Sequence, residues 1–411
     1  MSRNSAGSAS SGKKICFIAS VFAPYNKGGA ETVINNIVNG FKKTNHQIFI
    51  ITICPFKNIK NLLPQKSIEG DITIYRFYPL NFFSFLNINK YKNQTLLRLI
   101  WHGLDMFNLH SYFIVRRILA REKPDVVMTH ALKGISYLIP RAIKSQGIKN
   151  IHTLHDVQLS TPSGLILKGE ESSWQHTCWL TKMYQSFNRW LFATPDIIIS
   201  SSKFLLDFYT SRGFFPKAQK IILTNPIVYK TEKQQSVPVT TNEFNFLFLG
   251  QIEKYKGILL LIKVFNQLKK STVNLLIVGT GSALAEAQQL AKNNPHIKFL
   301  GYVPNKELSK IFSQTHATIV SSLCYENSPT VIFESLSHGV PVIAARIGGI
   351  EFVKDDYNGF TFEAGDEADL LRILKFSLQN KKQLDNMRTN CLESVKDIGI
   401  KKYIEKIEKL I

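Results

Sequence analysis

The feature that most limits the fold of this chain is an alternation that runs twice. Short apolar segments of strand length are followed by longer segments with helical periodicity, and the order restarts past the middle. Such alternation produces parallel sheets covered by crossover helices. Residues 15–20 read as a buried strand. Residues 28–43 read as a helix with Val33, Ile34, Ile37, Val38 and Phe41 on one side. Residues 46–54 and 72–78 are strand-like. Residues 93–122 read as one long helix, stopped by Lys123-Pro124. Strands at 125–129 and 150–154 each run into a histidine, His130 and His155, and are followed by a helix at 173–193 and a strand at 196–200. The second run has strands at 244–249, 273–278, 296–300, 317–321 and 341–344, with a helix at 257–269 after the first.

A chain of 411 residues exceeds one compact core and suits two domains. The expected division is a leader at 1–12, a first Rossmann-like domain at 13–228 and a linker at 229–243. A second Rossmann-like domain follows at 244–398, and a terminal helix at 399–411 returns toward the first. The leader is Ser, Gly, Ala and Asn with no hydrophobic stretch, and reads as disordered rather than secretory. The linker is Thr, Gln, Ser and Pro. Two such halves place a cleft between the carboxyl ends of their sheets, where open α/β sheets bind ligands. The fold class is α/β, two Rossmann-like domains facing across a cleft.

Composition narrows the setting. No apolar run is long enough to cross a membrane. Five scattered cysteines without a Cys-x-x-Cys pair fit a reducing cytoplasm. The net charge of +21 is uneven. Residues 1–228 carry 28 Lys and Arg against 11 Asp and Glu, a balance of +17, whereas residues 229–411 carry 23 against 19. The first half is therefore expected to meet an anionic partner, with an anionic membrane surface favoured. Residues 77–112 mix aromatic and basic side chains, among them Phe77, Tyr78, Phe82, Phe83, Trp101 and Arg98, and are the expected contact with lipid. The basic residues form no nucleic-acid motif, so no nucleic-acid partner is expected.

Four segments carry polar groups where ligands bind. Glu326-Asn327-Ser328-Pro329-Thr330 leads into a helix expected to start at Pro329, with Glu334 in its second turn. Free N–H groups and the positive dipole end make such a terminus an anion site, and carboxylates beside it suit sugar hydroxyls. Gly250-Gln251-Ile-Glu-Lys-Tyr-Lys256-Gly257 follows a strand and presents Lys256 at a helix start, in reach of a diphosphate. Gly28-Gly29-Ala-Glu31 lies between the first strand and first helix, where paired glycines let a ligand approach the backbone. Its spacing is not the Gly-x-Gly-x-x-Gly of dinucleotide enzymes. His155-Asp156 ends a strand and can orient a hydroxyl. Taken singly, each segment reads at least as well as an ordinary capped or solvated turn, and the spacing of Glu326 and Glu334 alone favours that plainer reading.

Together these residues resemble the retaining glycosyltransferase family 4 of the GT-B superfamily, from about residue 14 onward. The most specific piece is the Glu326-x7-Glu334 run with Gly339-Val-Pro-Val-Ile-Ala344 and Gly348-Gly349-Ile-Glu351. The resemblance implies a GT-B fold, and transfer of a sugar from a UDP-, GDP- or ADP-sugar to a lipid-linked or glycan acceptor with retention of configuration. It implies that Glu326 contacts the transferred sugar, Glu334 the ribose and Lys256 the leaving diphosphate. The N–H groups of Asn327, Ser328 and Thr330 about Pro329 would hold the distal phosphate, with Gly28 and Gly29 bordering it. His155, beside Asp156, would line the acceptor side, and Val303 would meet the base. Glu326, Lys256 and His155 are the candidate catalytic residues, and Gln251 is the further donor-side position. No metal or other cofactor is expected, since no acidic cluster suits Mg²⁺. The expected place of work is the cytoplasmic side of the cell membrane.

One departure stands out. The family usually has Arg where this chain has Gln251, and Lys254 is the nearest substitute for that charge. Two other functions remain compatible with the residues. One is a nucleotide-sugar epimerase or phosphorylase of the same fold. The other is a catalytically weak relative that binds glycan or membrane.

Overall fold

The computed structural model describes residues 12–25, 28–91, 94–228, 243–268 and 272–411. Most of the expected leader, residues 1–11, and all but the last residue of the expected linker, residues 229–242, lie outside the described residues. Two sheets organise the rest.

The first sheet has eight strands. They are β1 (Lys14–Ile18), β2 (Gln47–Ile53), β3 (Gln65–Glu69), β4 (Ile72–Phe77), β5 (Val126–Thr129), β6 (Lys149–Leu154), β7 (Ile197–Ser200) and β8 (Gln219–Ile222). Their order is β3-β4-β2-β1-β5-β6-β7-β8, parallel throughout except where β3 pairs antiparallel with β4. The central strands are buried on both faces, so they read as unbroken apolar runs. The strand order reverses between β1 and β5. The carboxyl ends there lead to the Gly28 turn and to His130, and β6 beside them leads to His155.

The second sheet has six strands: β9 (Phe244–Leu249), β10 (Val273–Val278), β11 (Ile297–Gly301), β12 (Ala317–Val320), β13 (Val342–Ala345) and β14 (Gly359–Phe362). All its pairs are parallel, in the order β11-β10-β9-β12-β13-β14. Its reversal lies between β9 and β12, whose carboxyl ends carry Gly250 and Ser321-Ser322. The last helix, Ile400–Glu408, leaves this domain and buries Tyr403, Ile404 and Ile407 in the first domain's core. A Cβ on Gly40 would lie 2.7 Å from Ile400, so the small residue admits that helix.

Two long predicted helices are each divided. The segment 93–122 forms Thr95–Met106 and Leu109–Glu122. Asn108 breaks it by leaving helical geometry and accepting the Ser111 amide at 2.9 Å, which caps the second helix. The segment 173–193 forms Trp174–Thr177 and Trp179–Leu191, with extended Cys178 between them. Three short strands were not predicted: β3 and β8 alternate weakly and sit at edges, and β14 follows a turn.

The aromatic stretch also differs from expectation. Phe77, Tyr78, Phe83 and Trp101 are buried, with Trp101 Nε1 donating to the Phe83 carbonyl at 2.8 Å. These rings build the core under the Thr95–Met106 helix, while Phe82 and Phe107 remain exposed. Lys92, another of the basic residues of this stretch expected to meet lipid, lies outside the described residues.

Candidate active site

The helix Thr330–Ser337 points its N-terminus at the cleft. Ile332, Phe333 and Leu336 bury its inner side. Ser335 fixes its depth, donating to the Val340 carbonyl at 2.9 Å while its Oγ lies 2.7 Å from the Thr318 hydroxyl on β12. Pro329 is the capping residue rather than the first helical one, with ψ 116. Its extended geometry turns the preceding loop across the carboxyl end of the sheet. Glu334 is half-buried in the second turn.

Lys256 comes to this terminus from the loop after β9. Gly257 has φ +72, and a Cβ there would lie 1.8 Å from the Ser321 carbonyl, so only glycine permits the approach. Ser321 Oγ donates to the Lys256 carbonyl at 3.0 Å. Lys256 Nζ then donates to Glu326 Oε2 at 2.7 Å. Glu326 also accepts from the Ser322 hydroxyl. Burial pulls the Lys256 ammonium down, but the Glu326 charge and hydrogen bond outweigh it and the pKa is raised. The pair therefore holds a permanent cation beside a helix N-terminus.

The Asn327 side chain joins the domains. Its Nδ2 donates to Ser201 Oγ at 2.7 Å and to the Leu154 and His155 carbonyls at 3.3 Å each, and its Oδ1 accepts from Ser202 Oγ at 2.6 Å. Gly349 N donates to the Glu326 carbonyl at 2.7 Å. A Cβ on Gly349 would lie 1.6 Å from the Asn327 carbonyl, so the glycine lets this loop seat. From the first domain, Gly28 precedes the helix Gly29–Phe41, and a Cβ on Gly29 would lie 3.7 Å from Thr330 Cγ2. The glycine turn and the Thr330 terminus thus face each other across the cleft.

His155 and Asp156 form the neighbouring wall. His155 Nε2 lies 3.1 Å from His130 Nδ1. Burial lowers the His155 pKa to about 4, so its imidazole is neutral at pH 7. Asp156 is raised to about 6 by burial, against the amide of Gln158. A small cavity of about 30 Å³ lies among His155, Asp156, Tyr137 and Tyr209. A larger one of about 420 Å³ opens beyond Glu326, between Tyr325, Gly348, Glu351 and Lys168. Among the described residues, no three His, Cys, Asp or Glu side chains gather as a metal site would need.

This arrangement sits in a chain whose two halves match two sequence families in tandem. Residues 27–227 match "Glycosyltransferase Family 4", and residues 229–393 match "Glycosyl transferases group 1". The chain belongs to glycosyltransferase family 4. Its fold is GT-B. The Anabaena protein HepE, solved in complex with UDP, superposes with TM-score 0.69 at 17% identity, covering 97% of this chain and 99% of that one. The UDP-Gal:alpha-D-GlcNAc-diphosphoundecaprenol alpha-1,3-galactosyltransferase of Escherichia coli is 24% identical, covering 85% of this chain and 90% of the relative. The alpha-monoglucosyldiacylglycerol synthase of Acholeplasma laidlawii is 22% identical over 93% of this chain and 92% of its own length.

In this glycosyltransferase, the structure gathers Lys256, Glu326, Asn327, Thr330 and the Gly28-Gly29 turn into one cleft. Gln251 is exposed and accepts from the Tyr255 hydroxyl at 3.0 Å. Lys254, the expected substitute cation, instead pairs with Glu286 at 2.7 Å. Val303 packs, partly buried, against the small core cluster that includes Leu247, Leu276 and Phe312, and Tyr302 is exposed. Sequence reading missed Ser201, Ser202 and Ser322, which hold the Glu326–Asn327 loop. The run of three serines ending β7 was the available signal, since polar residues closing a buried strand face the cleft.

Proposed function

We propose that this glycosyltransferase moves a hexose from a UDP-sugar, with retention of anomeric configuration, to a lipid-linked or glycan acceptor in cell-surface polysaccharide or glycolipid synthesis. The observation that carries it is the meeting of Lys256, Glu326 and the Gly28-Gly29 turn at the Thr330 helix terminus. The terminus with its Asn327, Ser328 and Thr330 amides, together with Lys256, takes the diphosphate. Glu334 accepts from ribose hydroxyls and Val303 lies by the base. Glu326 accepts from hydroxyls of the transferred sugar.

In the step itself, the bond from the sugar's anomeric carbon to the diphosphate oxygen breaks. The acceptor oxygen bonds to that carbon from the same face, and its proton passes to the departing phosphate. Negative charge grows on the diphosphate, where Lys256 and the helix dipole stabilise it. Neutral His155 and the Asp156 carboxylate line the acceptor wall. The residues in the cleft supply this without a metal or another cofactor. The choice of uridine and of a lipid-linked acceptor is supported by what the two named relatives and HepE act on or bind. The basic first domain supports work against the anionic cytoplasmic face of a membrane. Among the described residues, no helix is long and apolar enough to cross one.

The test is incubation with UDP-hexoses and a membrane lipid extract, with NMR of the product's anomeric proton. Release of UDP only with acceptor present, and a product of the donor's configuration, is expected. An epimerised donor or an inverted product would overturn it.

A further inference from the structure

Two helices of the first domain turn apolar faces outward. On Thr95–Met106, Leu96, Leu99, Ile100 and Leu104 are 43–72% exposed, and Phe107 just beyond is 40% exposed. Their spacing puts them on one side of a 3.6-residue helix. On Trp179–Leu191, Trp179, Leu180, Met183, Phe187 and Trp190 are 42–70% exposed, again on one side. The opposite sides are buried, through Trp101 and Asp105 on the first helix and Thr181, Asn188 and Leu191 on the second. Both helices are thus amphipathic twice over, with a core side and an apolar outer side.

The two outer faces are one surface. The rings of Phe107 and Phe187 meet edge to face with centroids 5.6 Å apart. Trp174, 69% exposed, lies on the short helix Trp174–Thr177 just before the second of these helices. Side chains this large, half-exposed and adjacent, amount to several hundred Å², on the order of the largest patches that soluble monomers leave uncovered. The acidic residue of these two helices is Asp105, which is buried, whereas the Trp179 helix adds the basic residues Lys182 and Arg189. Arg141 stacks on Trp190 with its guanidinium 3.5 Å from the ring centroid. Indole rings with cations beside them suit the headgroup region of an anionic bilayer.

The patch also backs the candidate acceptor wall. The inner side of the Trp179 helix holds the loop after Asp156. Tyr184 donates to the Gln158 carbonyl at 2.7 Å, Gln185 to Ser160 Oγ at 3.0 Å and Asn188 to the Leu159 carbonyl at 2.8 Å. A bilayer lying on the outer side is therefore separated from His155-Asp156 by one helix and one loop.

We propose that the outer faces of Thr95–Met106 and Trp179–Leu191 insert side by side into the interfacial layer of an anionic membrane, presenting a lipid-linked acceptor to the His155 wall. This rests on the proposed lipid-linked acceptor, and it differs from purely electrostatic attachment because the apolar rings enter the acyl region. Binding is then steered by Lys and Arg but persists at high salt.

The four tryptophans make a direct probe, since Trp179 and Trp190 lie on the patch, Trp174 is exposed just before it and Trp101 is buried. The full chain is mixed with phosphatidylglycerol-rich vesicles, with and without brominated acyl chains, at low and high salt. Quenching by brominated chains that survives high salt is expected. In Trp179→Ser/Phe187→Ser the vesicle partition coefficient should fall at least about tenfold, with unchanged circular dichroism and unchanged UDP affinity. Vesicle binding that salt abolishes without any quenching would overturn insertion. A concentration-dependent dimer in sedimentation, with no quenching, would assign the patch to a second copy instead. Quenching in a protein that binds no UDP would leave the docking face standing and remove the transferase reading of the cleft.

Discussion

Lys256 Nζ donates to Glu326 Oε2 at 2.7 Å, joining segments 70 residues apart in the chain. An ammonium has three donors, and one bond to Glu326 leaves others for phosphate oxygens. The pair orients the cation before the diphosphate arrives, so no side-chain ordering is needed as charge develops. Lys256→Ala should therefore lower kcat about a hundredfold while changing the donor KM much less. Steady-state kinetics decide this. A raised KM with unchanged kcat would show that Lys256 only anchors the ground state.

Gln251 stands where a guanidinium is usual in the family, and its side chain is tied to Tyr255. Lys254 does not replace it, being held by Glu286. Gln251→Arg should add a second cation near the diphosphate and keep or raise kcat. A fall in kcat with intact folding would show that the Gln251–Tyr255 contact itself shapes the loop.

Asn327 is one of the ties between the two domains beside the site, along with the Leu167–Cys324 bridge and the Phe204–Glu351 contact. Removing its four polar contacts should release the closed arrangement, at about 1–2 kcal/mol. Asn327→Ala should raise the donor KM roughly tenfold and enlarge the radius of gyration in X-ray scattering. Scattering identical to the wild type, with unchanged KM, would show that other interdomain contacts suffice.

Asp156 titrates at about 6 because burial disfavours its charge. The unfolded carboxyl has its ordinary value of 3.8. Between those values the folded state holds a proton that the unfolded state has lost, so stability falls as pH rises through the window. The deficit is absent below the unfolded value and complete above the folded one. Asp156→Asn should then stabilise the chain near pH 8 by about 1–3 kcal/mol and change it little near pH 3.5. Urea unfolding at both pH values checks the sign. Equal effects at the two would mean that the charge is not the cause. Turnover with acceptor should fall in the same variant.

Most of the fold was legible because strand burial on both faces writes continuous apolar runs, as in β1, β2, β9 and β10. The edge strands β3 and β8 were not, since exposed Gln, Lys and Glu positions carry no such pattern. Neither was the division at Asn108, where a capping side chain overrides a helical run by one hydrogen bond. At the site, Lys256, Glu326 and Gly28-Gly29 were visible as polar or glycine groups closing strands. Their partners Ser201 and Ser202 come from a distant segment, and only the folded chain brings them to Asn327, whereas Ser322 reaches Glu326 from four residues away in the same loop. The fate of Trp101 and Phe107 shows the same limit, for one aromatic lies in the core and the next on the surface of a single amphipathic stretch.

The central claim is that the cleft between Gly28-Gly29 and the Thr330 helix binds a nucleoside diphosphate, with Glu334 on the ribose. Calorimetric titration with UDP, GDP and ADP, on the wild type and on Glu334→Ala, tests it most directly. A charged hydrogen bond of this kind contributes about 1.5–3 kcal/mol. UDP is expected to bind at one site, and Glu334→Ala to weaken it roughly ten- to a hundredfold while the fold persists. No binding of any of the three nucleotides to the wild type, or an affinity unmoved by Glu334→Ala, would contradict the account.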